Sequence, residues 1–458
     1  MFKKVLIANR GEIALRIIRA CKELDIYSVA VYSEADADSL HVEMADEAIC
    51  IGPALATESY LKTTNIIAAA ELADVDAIHP GYGFLAENAP FAEICANCNI
   101  TFIGPSPECI KNMGDKAIAR DTMKAAGVPI TPGSDGILDK VEDALSLANE
   151  MTYPVLLKAV AGGGGKGMRV ARNDEELKQG FMAAQAEGKA AFGNPDLFME
   201  KYIESARHVE VQIIGDNYGN VCHVGERDCS IQRRHQKLVE EAPCPTLTDE
   251  ERKALGDAAV KAAQAVSYNS AGTLEFLYDE IAKQFYFMEM NTRIQVEHTV
   301  SEEVTGIDLL KEQIKVAGGE KLSFMQNDVI INGHAIEFRV NAEDPYNNFT
   351  PAPGPVEAVH FPGGPGIRID SHVYSGYVIS PHYDSMVGKI IAKGRNRNES
   401  IIRLKRALSE FTIDGPHTTV PLGEALMIDD KFVSGNYNTA YLDVFMENKF
   451  LKTKGNGE

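Results

Sequence analysis

The chain lacks any uninterrupted apolar run long enough to cross a membrane. Its first residues, MFKKVLIANRGE, hold only a short apolar stretch before charged residues return, which is not the pattern of a signal segment. These two absences predict a cytoplasmic protein.

Positive charge is scarce in this chain. It has 45 Lys and Arg residues against 66 Asp and Glu residues, a formal net charge of −21. Nucleic acids and anionic membranes would repel such a protein, which argues against either as its main partner. An anionic substrate must therefore meet local clusters of Lys and Arg.

A compact cysteine framework is also missing. The eight cysteines are scattered along the chain, which is typical of reduced thiols. Cys95 and Cys98 form a Cys-x-x-Cys pair, but no second pair or His pair follows at zinc-finger spacing. Their segment, PFAEICANC, has a helical pattern, so we expect both side chains to serve in helix packing.

The chain does have the length and apolar content for two or three domains, with 458 residues of which 45% are hydrophobic. Its start predicts a β-α-β unit, with strands near 3–8 and 28–32 and a helix near 12–24. The turn at residues 9–11 lacks the three glycines of a dinucleotide-binding fingerprint, which argues against nicotinamide binding.

Helix breakers and changes of composition indicate where the domains meet. Residues 104–114, and later VPITPGSDG, resemble linkers that bracket a charged helix at 115–127. Proline and glycine become frequent after Gly333, and amphipathic segments at 399–411 and 421–427 close the last domain. We therefore expect domains at 1–114, 115–330 and 331–446.

A glycine-rich loop lies between two predicted strands, at 153–159 and 168–171. The loop, AGGGGKGM, fails the Walker pattern because Gly167 follows Lys166 where Ser or Thr is required, and a Rossmann turn should open a helix. Glycine amides can cover the phosphates of a nucleotide as a flap, with Lys158 and Lys166 adding positive charge. We expect a phosphate-binding hairpin; a flexible surface turn is the alternative.

Two further segments could line a ligand crevice. HPGYGFLAEN, residues 79–88, follows a predicted strand, and loops at the carboxyl ends of such strands line crevices in α/β sheets. A rigid turn explains that segment equally well. Residues 200–203 follow a short predicted strand and look like a link between two lobes, able to offer backbone groups to an adenine edge. A plain connector is the alternative there.

Alternating polar residues mark the segment YFMEMNTRIQVEH at 286–298. Carboxylate and amide oxygens suit Mg²⁺, and a planar guanidinium suits a small oxyanion or phosphate. An ordinary exposed edge strand is the alternative. As a strand, the segment would place on one face Glu289, Asn291, Arg293, Gln295 and Glu297.

The preceding run GTLEFLY, residues 272–278, looks like the hairpin partner of this strand. Pairing Tyr278 with Tyr286 would set Glu275 opposite Glu289 on the same face. Two facing carboxylates repel each other and therefore require a cation between them. A slip of one residue would turn Glu275 to the other face.

Basic residues are concentrated in ERDCSIQRRHQKLVEEAP, although the chain is acidic elsewhere. Such a cluster suggests an anion site. Its basic members are Arg227, Arg233, Arg234, His235 and Lys237. The alternative is a network of ion pairs with Glu226, Glu240 and Glu241.

Taken together, these motifs resemble the biotin carboxylase family of ATP-grasp enzymes from about residue 2 to residue 446. The stretches that carry the resemblance are ANRGEIALRIIRAC, HPGYGFLAEN, KAVAGGGGKGM, EKYI, RHVE, ERDCSIQRRHQK, GTLEF and FMEMNTRIQVEHTVSE. The resemblance implies an α/β (α+β) fold with three domains. These are an N-terminal β-α-β Rossmann-like domain, an ATP-grasp domain with a glycine-rich lid at about 131–203, and a C-terminal mixed α/β domain.

The resemblance also implies residue roles. ATP would be held by Lys116, Lys158, Gly164, Gly165, Glu200, Lys201, Ile203, His208 and His235, with Gln232 in the same binding set. Two Mg²⁺ or Mn²⁺ ions would be held by Glu275, Glu289 and Asn291. Bicarbonate would meet Lys237, Arg293, Gln295 and the backbone of Val296, with Glu297 as its base. Arg339 would stabilise the biotin enolate, beside Tyr82 and Asp384 in the biotin site.

In the implied reaction, bicarbonate attacks the γ-phosphate of ATP to give carboxyphosphate, which breaks down to CO₂ and phosphate, and biotin captures the CO₂. No Ala-Met-Lys-Met stretch occurs in the chain. We therefore expect biotin to arrive on a biotin carboxyl carrier protein. Because the chain ends soon after the third domain, we also expect the carboxyltransferase to be a separate subunit. The resemblance further implies a homodimer.

The final acceptor of the carboxyl group has two candidates. The compact chain resembles the subunit of acetyl-CoA carboxylase, whereas Thr299, in VEHTV, is often seen in pyruvate carboxylases; we favour acetyl-CoA. Two other interpretations are an ATP-grasp ligase that activates a different carboxylate and a catalytically silent nucleotide-binding subunit. The set of Arg293, Gln295 and Glu297 disfavours the first, and the intact metal ligands and lid disfavour the second.

Overall fold

The computed structural model describes residues 1–160, 167–234 and 236–453. Within these ranges, no helix combines the length and the apolar character needed to cross a membrane. The larger sheets of the described residues have five, eight and three strands.

The N-terminal segment is built on a parallel sheet. Its strands are β1 (Lys4–Ile7), β2 (Tyr27–Tyr32), β3 (Glu47–Cys50), β4 (Ala77–His79) and β5 (Thr101–Phe102), in the order β3-β2-β1-β4-β5. Its helices are α1 (Gly11–Glu23), α2 (Leu40–Met44), α3 (Thr63–Leu72), α4 (Ala89–Asn97) and α5 (Pro107–Gly114). The predicted β-α-β opening is confirmed, because β1 and β2 are parallel neighbours joined through α1.

The segment at 104–114 is not the linker that its glycines suggested. Ser106 accepts a hydrogen bond from the backbone N–H of Cys109, and Pro107 occupies the first turn, so α5 has a regular start. Cys109 and Met113 are buried in a hydrophobic core. The apolar face of this helix, which the prediction neglected, decides its structure.

The next part of the chain contains a small separate unit. Helix α6 (Lys116–Ala125) comes first, and its Ala119 and Met123 are buried in the same core as Cys109. The elements of the unit itself are α7 (Val141–Met151), β6 (Val155–Ala159), β7 (Met168–Ala171), α8 (Asp174–Phe192) and β8 (Leu197–Lys201). Strands β6 and β7 pair in antiparallel fashion, as the prediction of strand, loop and strand requires. The loop between them, with Gly164 and Gly165, lies outside the described residues. The unit has its own core, formed by side chains between Leu138 and Met199.

The central part of the chain supplies five long strands and three helices. The strands are β9 (Ala206–Gly215), β10 (Val221–Arg233), β11 (Gln236–Ala242), β12 (Ser270–Asp279) and β13 (Gln284–Asn291). The helices are α9 (Asp249–Ala265), α10 (His298–Thr305) and α11 (Leu309–Ala317). Thr248 and Glu251 form a capping box that starts α9.

The C-terminal part contains short strands and helices. The strands are β14 (His334–Asn341), β15 (Glu343–Asp344), β16 (Thr350–Pro351), β17 (Gly354–Pro355), β18 (Ala358–His360), β19 (Ile367–Ser371), β20 (Val378–Ile379), β21 (Met386–Gly394) and β22 (Thr412–Asp414). The helices are α12 (Arg397–Glu410), α13 (Val420–Leu426), α14 (Asp430–Val433), α15 (Tyr441–Phe445) and α16 (Leu451–Thr453). Helices α12 and α13 confirm the two predicted amphipathic segments.

One eight-stranded sheet runs through both of these parts, in the order β13-β12-β9-β10-β11-β14-β21-β19. Strand β11 pairs with β14 across the expected domain boundary at residue 330. The core beneath the pair mixes Ile231 and Val239 with Ile336 and Phe338. The sheet is therefore one continuous platform for the site.

The hairpin of β12 and β13 sets Glu275 opposite Glu289, as predicted, but through a different register. Tyr278 pairs with Phe285 and not with Tyr286. A β-bulge that adds Met288 to the β13 side then shifts the pairing by one residue and restores Glu275 to its place opposite Glu289.

Strand β13 ends at Asn291, so the predicted alternation stops there. Residues 292–297 form a turn before α10 begins at His298. The prediction that Arg293, Gln295 and Glu297 share a strand face with Glu289 was therefore wrong. Within the turn, Gln295 still reaches Glu275 on β12, whereas Arg293 contacts Asn291 and Glu297 contacts Lys237.

Candidate active site

Lys237, on β11, stands at the centre of the site. Its ammonium group donates to Glu210 of β9 at 2.6 Å, to Glu275 of β12 at 3.0 Å and to Glu297 at 2.6 Å. Burial alone would lower the pKa of Lys237, but Glu210 and Glu297 outweigh it and raise that pKa well above its ordinary value. Lys237 is therefore a fixed positive charge shared by three carboxylates.

Glu275 is an anion surrounded by donors. Its Oε1 accepts from Asn291 Nδ2 at 2.9 Å and from Gln295 Nε2 at 2.8 Å, besides Lys237. His208 Nε2 lies 2.9 Å from its Oε2. Burial opposes ionisation of Glu275, yet His208 and Lys237 hold its pKa well below the ordinary value. Two cationic side chains, His208 and Lys237, therefore stabilise the ionised form of Glu275.

The three expected metal ligands meet at one corner of this hairpin. Glu289 faces Glu275 across the strands, and Asn291 contacts Glu275 directly. Partial desolvation and, second, the charge of Glu275 raise the pKa of Glu289, while Lys116 acts in the opposite direction. Carboxylate and amide oxygens are hard donors, and facing carboxylates gain from a cation between them. The donor set therefore fits Mg²⁺ or Mn²⁺.

Two other groups of donor atoms overlap the site. They are His208, Glu210 and Glu275, and Glu210, Cys229 and Glu297; within each group the donor atoms lie within 4.8 Å of one another. Lys237 already donates to the acids of both groups. The corner at Glu289 is therefore the more suitable place for a divalent ion.

Glu297 lies between two cations. Lys237 donates to its Oε1, and Arg339 Nη2 donates to its Oε2 at 2.9 Å. Arg339 is itself held by Glu240, which accepts from Nε at 2.6 Å. Burial would raise the pKa of Glu297, but Lys237 and then Arg339 hold it well below the ordinary value. Glu297 can therefore take up a proton only when its two cations turn to another anion.

Arg227 belongs to a buried network and not to an open anion site. It donates to Glu210 at 2.6 Å, to Gln212 at 2.7 Å and to Gln295 at 3.1 Å. The alternative prediction of ion pairs is right in kind here, although the partner differs. The expected partners Glu226, Glu240 and Glu241 pair instead with Arg252, Arg339 and Arg397.

Arg233 and Arg234, two further members of the basic cluster, do not contact the carboxylates around Lys237. Arg233 donates to Asn348 at 2.7 Å and stacks over the ring of Phe349 at 4.2 Å. Arg234 is exposed and occupies the turn between β10 and β11. His235 lies outside the described residues, and Gln232 is half-buried opposite Lys237 in the β10–β11 pair.

Arg293 is oriented by a residue from the N-terminal segment. Its Nε donates to Glu87 at 2.8 Å, and its Nη2 donates to Asn291 Oδ1 at 3.1 Å. The backbone N–H of Thr292 also donates to Glu87, at 3.0 Å. The loop at 79–88 therefore reaches the site and fixes the start of the 292–297 turn.

Two of the expected nucleotide ligands of the small unit, Lys158 and Glu200, pair with each other. Arg120 donates to Glu200 Oε1 at 2.8 Å, and Lys158 donates to its Oε2. Glu200 and Lys201 lie within β8, so the prediction that they follow a strand was wrong. Lys201 reaches a backbone carbonyl at 3.0 Å, and Ile203 is half-buried just beyond the strand.

Of the residues expected at the biotin site, Tyr82 lies near both Arg339 and Asp384. The hydroxyl of Tyr82 donates to Glu12, and burial raises its pKa well above the ordinary value, with Arg339 and Asp384 both close enough to influence it. Asp384 is exposed. The carbonyl of Val296 accepts from a buried lysine at 2.7 Å, so a substrate contact would fall to its N–H.

Sequence reasoning missed two residues of this site, Glu210 and Glu87. Glu210 follows His208 by two positions on β9 and pairs with Glu275 on β12, so alternation in RHVEVQ was a usable signal. Glu87 contacts residues more than 200 positions later, and nothing local in its loop indicates that contact.

Comparisons with known proteins agree with this geometry. The protein-family model for the biotin carboxylase N-terminal domain matches residues 1–110. The model of the carbamoyl-phosphate synthase L chain ATP binding domain matches residues 115–325. The model of the biotin carboxylase C-terminal domain matches residues 337–444.

Similar proteins match over almost their whole length. The chain is 61% identical over 445 residues to biotin carboxylase 1 of Bacillus subtilis, covering 97% of this chain and 99% of that protein. It matches the biotin carboxylase domain dimer of 2-oxoglutarate carboxylase from Hydrogenobacter thermophilus, in complex with MgADP, ADP and bicarbonate, at 52% identity and a TM-score of 0.89. That match covers 97% of this chain and 98% of the other. A structure of the biotin carboxylase subunit of pyruvate carboxylase matches at 52% identity and a TM-score of 0.88, covering 98% and 99%.

The three-part fold and the ATP-binding match define an ATP-grasp enzyme. More particularly, the chain belongs to the biotin carboxylase family and is an ATP-dependent ligase. The family resemblance and the fold class predicted from the sequence are thereby confirmed.

Proposed function

We propose that this enzyme carboxylates biotin carried on a separate biotin carboxyl carrier protein, with ATP and bicarbonate as the other substrates. The observation that carries the proposal is the position of Glu297 between Lys237 and Arg339, next to the corner of Glu275, Glu289 and Asn291. A site for a small anion thus adjoins a site for a metal–nucleotide complex.

The charges of the site suggest how bicarbonate is handled. Lys237 and Arg339 are the two cations nearest to Glu297, so a bound anion would compete with Glu297 for them. Their withdrawal from Glu297 would raise its basicity and let it take the proton of bicarbonate. The base would thus become effective only when its substrate is present.

Arg293 would hold the anion from the opposite side. Glu87 and Asn291 fix its guanidinium group, whose planar donors suit a small oxyanion. A divalent cation held by Glu275, Glu289 and Asn291 would neutralise phosphate charge during transfer. Lys158 and Lys116 would add positive charge at the nucleotide end, together with the glycine-rich loop.

Biotin would then enter on the side of Arg339. Tyr82 lies within electrostatic reach of both that guanidinium group and Asp384. A cation beside the ureido oxygen would stabilise negative charge that develops on biotin. Biotin would be supplied on the carrier protein, and a second copy of this chain would complete a homodimer, as in the dimeric relative.

The acceptor that we propose is acetyl-CoA, served by separate carboxyltransferase subunits. The proposal rests on the resemblance of the compact chain to the acetyl-CoA carboxylase subunit, because the names of the biotin carboxylase relatives specify no acceptor. Pyruvate and 2-oxoglutarate are the alternatives, because relatives of similar identity belong to those carboxylases. Fixation of labelled bicarbonate with each acceptor, a biotinylated carrier and the matching carboxyltransferase would distinguish the three.

The first test measures ATP hydrolysis with Mg²⁺ and free biotin, with and without bicarbonate. We expect bicarbonate-dependent turnover that Glu297→Gln lowers by roughly 10²–10⁴-fold, the range for loss of a general base. Arg339→Ala should remove the stimulation by biotin. Glu320→Gln, an exposed substitution outside the site, is the control.

Other outcomes would contradict the proposal. Turnover that is independent of bicarbonate and follows an amino acid or peptide would identify a ligase for another carboxylate. Nucleotide binding without turnover would indicate a silent subunit.

A further inference from the structure

Lys389 lies beneath the catalytic turn and contacts its backbone. It belongs to β21, its side chain is fully buried, and its ammonium group donates to the carbonyl oxygen of Val296 at 2.7 Å. Glu12 Oε1 lies 3.3 Å and Asp370 Oδ2 4.0 Å from the same nitrogen. Lys389 on β21 therefore links three elements: α1 through Glu12, β19 through Asp370, and the 292–297 turn through the carbonyl of Val296.

The neighbours of Lys389 keep it charged and in place. Burial alone would lower its pKa, but Glu12, Glu337 and Asp370 together raise it. Asp370 is held by a second cation, Arg368, at 2.8 Å. An ammonium group fixed in this way is a directional donor with little freedom to move.

The two carbonyls that precede Glu297 are both bound from outside the turn. The carbonyl of Gln295 contacts the ring nitrogen Nδ1 of His298 at 2.7 Å, and the carbonyl of Val296 accepts from Lys389. Because a peptide unit is planar, fixing a carbonyl also fixes the plane that leads to the next residue. The backbone from which the Glu297 side chain projects is thereby set.

We propose that Lys389 is a positioning residue, which holds the peptide between Val296 and Glu297 so that the Glu297 carboxylate stands between Lys237 and Arg339. This inference rests on the proposed role of Glu297 toward bicarbonate. Lys389 itself contacts the Val296 carbonyl and buried acids, so it acts through the turn.

The substitution Lys389→Met tests the proposal, because methionine has nearly the same length and cannot donate. We expect the KM for bicarbonate to rise by about ten-fold or more, because a displaced Glu297 would no longer hold Lys237 and Arg339 in place for the anion. The Kd for ATP, measured by calorimetry, should change by less than about two-fold. A purely structural role would reduce only the folded fraction, which lowers kcat and leaves KM unchanged.

Lys393→Met is the matched control. Lys393 lies on the same strand and face, four residues along, but is half-exposed and lines a surface pocket with Arg16 and Arg19. Its KM for bicarbonate should stay at the wild-type value. An unchanged KM in Lys389→Met, or an equal loss of ATP affinity, would overturn the proposal.

Loss of Lys389 leaves buried acids without their cation, so the single variant could fail to fold. The double variant Lys389→Met with Glu12→Gln removes one of these charges and is measured in the same way. A raised KM in the double variant supports the proposal; a normal KM, or failure of this variant to fold, overturns it. Wild-type enzyme without bicarbonate-dependent turnover would instead refute the proposed function.

Discussion

Glu337 is a buried carboxyl group that the sequence did not single out. It lies on β14 and accepts a hydrogen bond from the hydroxyl of Thr299 on α10. Burial, partly offset by Lys389, raises the pKa of Glu337 to about 8. Thr299 is fully buried. Thr299 and Glu337 therefore form a buried hydrogen-bonded pair between α10 and β14.

This pKa makes a prediction about stability. Glu337 binds its proton up to about pH 8 in the folded chain but only up to about pH 4.3 when unfolded. The unfolding free energy must therefore fall as the pH rises between these values. Glu337→Gln removes this titration. The Tm of the variant minus the Tm of wild type should therefore rise by about 2 °C from pH 6 to pH 8. Differential scanning fluorimetry can measure this gain.

Glu320→Gln, which changes an exposed acid, should track wild type over the same pH range. A constant difference in Tm between Glu337→Gln and wild type at both pH values would refute a raised pKa. A Tm of Glu337→Gln that falls relative to wild type as the pH rises would have the opposite sign and would also refute a raised pKa.

At the scale of the element, the β12–β13 hairpin illustrates how far sequence patterns reach. Alternating polar residues correctly predicted a hairpin with Glu275 facing Glu289, but the predicted register was wrong by one residue at Tyr278. The bulge at Met288 and the end of β13 at Asn291 depend on contacts with distant strands and on Glu87. The alternation of polar residues continues through 292–297 although these residues form a turn, because a turn can also place alternate side chains on one side.

Acidic side chains from several elements of the central part of the chain surround Lys237. Strands β9 and β12 contribute Glu210 and Glu275, the turn contributes Glu297, and β11 contributes the lysine. Local sequence could identify Lys237 as part of a basic cluster, but its carboxylate partners come from three separate elements. Their combination follows only from the strand order.

This arrangement of charges predicts the behaviour of Lys237→Met. Removal of the ammonium group leaves three carboxylates short of positive charge, which should cost about 3–5 kcal/mol of stability. Mg²⁺ should raise the Tm of the variant more than that of wild type, because a divalent ion can supply the missing charge. Thermal unfolding with Mg²⁺ and with EDTA measures both effects.

Lys261→Met, on the exposed face of α9, provides the comparison and should respond to Mg²⁺ as wild type does. An equal Mg²⁺ shift in Lys237→Met and wild type would mean that the carboxylates are not coupled to the metal corner.

At the scale of the whole molecule, the hydrophobic cores and sheets do not divide the chain where its composition suggests. Composition suggested a change near residue 330, yet β11 and β14 pair across it and share a core. Sequence patterns locate elements well, but the continuity of a sheet depends on which edges meet. By contrast, the small unit with β6, β7 and β8 has both its own sheet and its own core.

A unit with a separate core can move as a body with little loss of packing, and this one carries Lys158 and Glu200 toward the nucleotide side. We therefore predict that MgADP slows amide exchange in β6, β7 and β8 by about ten-fold or more, while exchange in β19 and β21, at the far end of the eight-stranded sheet, changes little.

Hydrogen exchange followed by mass spectrometry tests this prediction with two lysine variants. Lys158→Met should weaken the slowing in the small unit, because the variant loses a positive charge beside Glu200. Lys178→Met, on the exposed side of α8, should retain the wild-type response. Equal slowing in the small unit and in β19 and β21 would mean that nucleotide stabilises the molecule as a single body, and the separate core would then have no part in closure.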